Sequence, residues 1–514
     1  MKNHARSPQV RSVLRLLAKA YQENNPQADP GRRQFIGNVA KAALAAALLP
    51  VMGCQTFGKK SRIAIVGGGM AGLRCAYILK KAGVSSTVFE ADQRTGGRIF
   101  SVQNAFGDNT WTEFGGEFLD SSHKDMFDLV EEFGLKTLDT YQDTAERDIF
   151  FFENRKISEQ EVLEAFKQML PALESDRQAC GETMDTERAL ALDRMPMQDY
   201  LNNLPGPDWM KELLSVAYKA EYGLDCEEQS TLNFLDMIGL DTEDGFLIFG
   251  DSDERYKVIG GNQQLTEKLA GQLGDQVKKQ HELIRLEQAG AVYTLTFANG
   301  HAEEADYVVL AIPFTALRKI EMKVDDLSAE KEACIRELGY GQNNKVMLGT
   351  KQRIWRTGSH PHAGFVFHPV LQNTWDNTQM QNGNEGVGGF TVFMGGTPSI
   401  QLAAAAAEAN LKHAVPDEVL QPILKEIDGV FPGFTQNWTG IHKAALWSNH
   451  PYIGASYGCY KVGQWQKLAG LEIEPIGNIF FAGEHCSNDH FGYMNGAAET
   501  GRLAADSILQ KLTE

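Results

Sequence analysis

Paired cysteines, positive charge and long apolar runs are all scarce in this sequence of 514 residues. Its seven cysteines are scattered, with no CxxC pair and no His–Cys cluster, so neither a metal site nor a disulfide framework is indicated. A formal net charge of −18 argues against nucleic acid as a partner. The Ala/Leu-rich stretch Val39–Leu49 is broken by Lys41. It is too short for a comfortable membrane span and suits the apolar core of an export signal. No repeat at solenoid spacing and no Ser–His–Asp constellation is seen. What remains is ordinary for a globular chain, 43% hydrophobic and 23% charged, long enough for two or three domains.

One stretch, Arg62 to Ser101, organises the rest. Ile63-Ala64-Ile65-Val66 reads as a buried parallel strand, and Gly67, Gly69 and Gly72 follow at GxGxxG spacing. Met70 to Ala82 has helical periodicity, with Gly83 as its stop. A second strand, Thr87-Val88-Phe89, ends in Glu90. In such a βαβ unit the first glycine permits a tight turn, the second admits a pyrophosphate and the third lets helix pack on strand. The helix N-terminus offers unpaired N–H groups to the phosphates, and Glu90 can accept from a ribose diol. The unit predicts a dinucleotide site without separating NAD from FAD.

The next residues separate them. Arg94-Thr95-Gly96-Gly97-Arg98, with Ser101 beyond, resembles the RxGGRxxS/T signature of the flavin amine oxidase family, which includes monoamine oxidases and L-amino-acid oxidases. The resemblance extends from about 62 to 511. It takes in Gly260-Gly261-Asn262-Gln263-Gln264-Leu265, the strand Ala305–Pro313 and a C-terminal fingerprint, Phe481-Ala482-Gly483-Glu484 followed by Gly492-Tyr493-Met494-Asn495-Gly496-Ala497. It implies a Rossmann-like α/β FAD-binding domain with an inserted α+β substrate domain, as in monoamine oxidases. The FAD-binding domain is expected over 61–139, 255–317 and 441–514, and the substrate domain over 140–254 and 318–440.

The resemblance also implies roles. Gly67, Gly69, Met70, Ala71, Gly72, Glu90 and Ala91 would hold the dinucleotide, with Arg94, Gly97 and Arg98 along the diphosphate. Gly115 and Gly116 would pass under the flavin, leaving Glu117 and Phe118 to face substrate. Gly483 and Glu484 would touch diphosphate and ribityl, and the helix N-terminus at Tyr493 and Met494 would face the flavin O2 edge. Lys345, in Gly341-Gln342-Asn343-Asn344-Lys345, stands where the family places a lysine that holds a water at flavin N5 and assists oxygen reduction. Tyr457 and Tyr493 match the pair that sandwiches the amine in monoamine oxidases, and Trp447 is expected on the substrate side. Ser456 stands where monoamine oxidases carry a cysteine thioether to FAD, so the flavin is expected to be non-covalent.

The reaction implied is oxidative deamination of an amine, with O2 reduced to hydrogen peroxide. An L-amino-acid oxidase on the same scaffold is the alternative. The arginine that grips a carboxylate in eukaryotic-type members is replaced by Phe118, which weakens it. Glu117 is expected either to attract an ammonium or to bond loop backbone. A flavin desaturase or protoporphyrinogen-type oxidase and a non-catalytic flavin-binding envelope protein are more distant readings. The resemblance also admits a homodimer.

Residues 1–60 differ from the rest, with ten Lys or Arg against two acids. Arg32-Arg33-Gln34-Phe35-Ile36 resembles a twin-arginine export signal, and Val51-Met52-Gly53-Cys54 a lipobox with Met52 as its departure. The expectation is a periplasmic enzyme, either anchored through lipid on Cys54 or cleaved and soluble. Residues 140–250 read as a helical insertion, with helices over Ser158–Leu173, Trp209–Gly223 and Glu227–Met237.

Overall fold

The computed structural model describes residues 61–513 apart from 182, 244, 358, 359, 385 and 407–410. The twin-arginine motif and Cys54 therefore lie outside the described residues.

The strand Ile63–Val66 is buried at every position and sits centrally in a five-stranded parallel sheet. Its neighbours are Tyr307–Leu310 and Thr87–Phe89, with Ile479–Phe481 and Val277–Lys278 outside them. Burial on both faces explains why these strands are nearly continuous apolar runs. The helix Met70–Lys81 and the last helix, Met494–Thr513, pack together. They approach so closely that a Cβ on Gly501 would lie 2.3 Å from the Ala71 carbonyl oxygen. Two ends of the chain thus close one domain.

A second layer is an eight-stranded mixed sheet. Its order runs Leu411–His413, Trp438–Ala445, Asn344–Thr350, Gly388–Met394, Gln372–Asp376, His362–His368, Glu146–Phe152, Arg155–Ile157. The insertion expected to be helical therefore opens with two strands, and Glu146–Phe152 pairs in parallel with His362–His368 of the second insertion. The Phe-rich run Ile149–Phe152 packs into a core on each side, and that burial decides for strand over helix. Trp438–Ala445 carries this sheet past 440, where the flavin domain was expected to resume.

The helices follow local signals. Glu159–Cys180 starts at a Ser158/Glu161 capping box and continues through Pro171, longer than its pattern predicts. Asp208–Tyr222 ends on Gly223 in the left-handed conformation. The third helix begins later than expected, at Thr231, because the Ser230 hydroxyl caps it by accepting from the Leu232 N–H. No described helix is long and apolar enough to cross a membrane.

Candidate active site

A cavity of about 360 Å³ runs from the tip of Thr87–Phe89 to the face of the mixed sheet. Every residue expected at the cofactor or substrate lines it, apart from Gly72. Gly72 has a packing place: its Cβ would fall 2.0 Å from the Gly67 carbonyl oxygen, so only glycine lets this helix sit on the turn.

One end of the cavity is made of backbone. Gly67 has φ +107°, and a Cβ there would meet the Ala311 carbonyl oxygen at 2.4 Å. The GxGxxG turn and the GGR turn cross backbone to backbone, where the Gly96 N–H donates to the Gly68 carbonyl at 2.8 Å. The helix Met70–Lys81 has no side-chain cap and no acid in its first turn, which leaves its N-terminal N–H groups for an anion. Glu90 accepts from the N–H groups of Gly68 at 2.6 Å and Asp92 at 2.8 Å. A carboxylate has about four acceptor sites, so about two remain for a ribose diol. Arg98 reaches across to Glu484 at 2.7 Å and joins the two halves of the motif.

The middle is built around Glu117. Its Oε1 lies 2.8 Å from Lys257 Nζ and its Oε2 lies 2.9 Å from Lys345 Nζ. Lys345 also donates to the carbonyls of Gly115 at 2.9 Å and Glu113 at 3.1 Å. All three side chains are buried, with exposures of 2% for Glu117, 1% for Lys257 and 7% for Lys345. Burial pushes the Glu117 carboxyl up, but the two lysines outweigh it and hold it below the usual range. The neighbouring Glu113 carboxyl bonds the Ser101 hydroxyl and the Asn262 N–H instead of a lysine, and burial raises it to about 7. Glu117 is thus committed to two lysines, which corrects the expectation that it attracts a substrate ammonium or bonds loop backbone. Lys345 sits in a fully buried strand between Phe393 and Ala445, away from solvent.

The far end is made of side chains. Tyr457 donates to the backbone carbonyl of Glu221, and Tyr493 donates to its Oε1 at 3.4 Å. Phe118, Trp375 and Phe393 form an aromatic wall, with ring centroids 5.8 Å apart for Phe118–Trp375 and 5.6 Å for Trp375–Phe393. Glu221, Glu254 and Asp120 complete this end. Burial raises them to about 8, about 7 and about 6 respectively, helped by repulsion from neighbouring acids, which for Asp120 is Asp253. The cations at hand are already paired. Arg98 and Lys345, in the lining, meet Glu484 and Glu117, and Arg147, outside it, lies 3.7 Å from Glu254.

Trp447 belongs elsewhere than expected. Its indole N–H donates to the Phe114 carbonyl at 2.9 Å, its ring stacks on His450, and Arg94 lies 5.9 Å from its centroid. These contacts place it at the glycine-lined end. Ser456 donates to Asn343 at 2.7 Å, while Cys459 is buried against Asn233 and is not among the cavity-lining residues. Among the described residues, no thiol lines the wall where a thioether would form.

The residues of the site that carried no expectation include Trp375 and Phe393 of the aromatic wall and the ionisable Lys257, Glu221, Glu254 and Asp120. Glu221 had a weak signal, since an acid in the last turn of a helix opposes the helix dipole. Lys257, in the short strand Tyr256–Val258, had none.

Known proteins resemble this chain over most of its length. Flavin-containing amine oxidase A of Sus scrofa is 26% identical over 470 residues, covering 88% of this chain and 85% of its own. A putative L-amino-acid oxidase, YobN, of Bacillus subtilis (strain 168) is 24% identical over 470 residues, covering 87% and 94%. Among solved structures, putrescine oxidase bound to putrescine superposes with a TM-score of 0.72 at 20% identity, covering 88% of this chain and 99% of that one. Cyclohexylamine oxidase from Brevibacterium oxydans IH-35A does so with a TM-score of 0.74 at 20% identity, covering 89% and 100%. The family model for flavin containing amine oxidoreductases matches residues 70–509, so the chain belongs to that family and takes FAD as its cofactor.

Proposed function

We propose that the chain deaminates a primary or secondary amine that carries no α-carboxylate, giving a carbonyl compound, ammonia or a smaller amine, and hydrogen peroxide. The flavin supplies the two-electron oxidation of the carbon bearing the nitrogen and hands the electrons to O2. The residues that would hold it are the glycine turns, Glu90, Arg98 and Glu484 at one end and the Gly115–Gly116 backbone at the other.

The reading rests on the far end of the cavity. Two tyrosines and an aromatic wall surround three carboxyl groups there, and the lysine of the lining that faces them is already paired. A substrate carboxylate would be buried against acids, and among the described residues the lysine of the lining at this end, Lys345, is already paired with Glu117, which makes that burial costly. An amine finds ring faces and acceptors instead. Tyr457 and Tyr493, anchored through Glu221, orient the nitrogen and exclude water. Glu221 Oε1, with its carboxyl raised to about 8, can take the proton an ammonium must lose once it is itself ionised, above about pH 8. Lys345 Nζ stands beside the Gly115 carbonyl, where its positive charge can favour the reduction of O2. The balance is one amine, one water and one O2 consumed per carbonyl compound, ammonia and peroxide formed.

The test is product stoichiometry with monoamines, diamines and L-amino acids. Equimolar carbonyl compound and peroxide from amines supports the reading. Peroxide from L-amino acids alone would replace it with the amino-acid oxidase alternative.

We further propose export through the twin-arginine route to the periplasm, supported by Arg32-Arg33 ahead of an Ala/Leu-rich stretch, with Cys54 as the residue that would carry lipid. Fractionation of the wild type beside Arg32→Lys/Arg33→Lys and Cys54→Ala tests both parts. Cytoplasmic wild-type protein would contradict export, and unchanged membrane association of Cys54→Ala would contradict the lipid.

A further inference from the structure

The middle of the cavity holds a carboxylate shared by two buried lysines. Lys345 Nζ has three acceptors, Gly115 O, Glu113 O and Glu117 Oε2, which is all an ammonium can use. Its place therefore depends on where Glu117 Oε2 points. Glu117 is held at its other oxygen by Lys257, whose Nζ also donates to the Asn377 carbonyl at 3.2 Å. Lys257 comes from the strand Tyr256–Val258 and is joined to Lys345 through Glu117. One carboxylate cannot balance two ammonium groups. With all three charged and the neighbouring Glu113 carboxyl, raised by burial to about 7, still protonated, the group holds one excess positive charge, nearly shut off from water, against the Gly115 backbone.

We propose that Lys257 is a positioning residue that acts through Glu117, fixing Lys345 at the Gly115 carbonyl and giving this buried group the excess positive charge that favours the reduced, electron-rich flavin. This rests on the flavin reading, not on the identity of the amine. The reason is electrostatic. A charge in a dry site acts strongly on whatever changes charge beside it, and it is already in place when electrons arrive. A purely structural ion pair would need only one lysine per carboxylate.

The test is the two-electron reduction potential of the bound FAD, read by reductive titration against an indicator dye at about pH 6, where the Glu113 carboxyl keeps its proton, with no amine present. Lys257→Met removes the excess charge. It should weaken the preference for reduced over oxidised flavin about tenfold, a fall of about 30 mV. Lys257→Arg should keep the potential within about twofold of wild type on the same scale. Glu117→Gln adds charge and should raise the potential. The double variant Lys257→Met/Glu117→Gln restores a single positive charge on Lys345 and should return the potential toward wild type. A structural role predicts the opposite, with the double variant at least as disturbed as either single. An unchanged potential in Lys257→Met, or a double variant no closer to wild type than Lys257→Met, would overturn the proposal. If Lys257→Met fails to retain FAD, Glu117→Gln decides: a rise supports the proposal, and a fall or no change overturns it.

Discussion

The two ends of the cavity are built from different materials. The dinucleotide end is backbone: glycine turns that cross each other, a helix N-terminus and one carboxylate with two N–H donors. The substrate end is side chain, with aromatic rings and carboxyl groups delivered by separate segments onto the face of the mixed sheet. Backbone geometry at the first end cannot vary without disturbing the fold, because Gly67, Gly72 and Gly115 each press on another stretch of main chain. Side chains on a rigid sheet can be exchanged while the frame holds. On the proposed function, cofactor binding lies in the part that cannot change and selectivity in the part that can, with the Glu117 lysines at the seam.

The contrast can be broken most severely at Gly115. A Cβ there would lie 1.8 Å from the Arg98 carbonyl oxygen, with no flexible atom to give way. Gly115→Ala should cost about 3 kcal/mol and leave little bound flavin per chain, read from absorbance. Full flavin content would show that the backbone end is more plastic than described. At the seam, Lys345→Met should keep its FAD yet slow flavin reoxidation about a hundredfold, by stopped flow with O2. An unchanged rate would make Lys345 a structural residue.

At the side-chain end, Tyr457→Leu should leave flavin content unchanged and lower kcat/KM for amines about tenfold, since one ring face is worth about 1–2 kcal/mol to a desolvated amine. A loss of FAD in this variant would blur the division between the ends. The smallest effect concerns pH. Glu221 carries its proton in the folded protein up to about 8, against an ordinary value of 4.5, and unfolding releases that proton. Stability should therefore fall as pH rises from about 4.5 through about 8. Glu221→Gln should flatten that fall and melt about 2 °C above wild type at the alkaline end. Parallel curves would mean that Glu221 is ionised throughout.

The same contrast explains what could be read from the chain before folding. Backbone chemistry leaves a local record, because a turn that needs three glycines must place them within a few residues. Gly67, Gly69, Gly72 and Glu90 could be assigned roles one by one for that reason, and Gly96 and Gly97 through their resemblance to the family signature. The parallel sheet was legible too, since strands buried on both faces are short apolar runs. The substrate end was legible only in Phe118, Tyr457 and Tyr493, and through the resemblance alone. Glu221 enters the cavity from a helix and Glu254 from a loop, Lys257 stands behind Glu117 on a short strand, and nothing local ties them together. The helical reading of residues 140–250 fails at its start for a related reason. The run Ile149–Phe152 becomes a strand because His362–His368, far along the chain, pairs with it. Glu117 was found but misread, because its partner Lys257 is remote in sequence and hidden in an otherwise plain strand.

The most direct test of the central claim, that the far end recognises an amine and refuses an α-carboxylate, is a pair of probes that differ only in that group. Phenethylamine and L-phenylalanine would be mixed separately with the oxidised holoenzyme under anaerobic conditions, and the bleaching of the flavin's visible band followed. The account predicts that the amine reduces the flavin faster by about a hundredfold or more, the cost of burying an unpaired carboxylate. Faster bleaching by L-phenylalanine would contradict it.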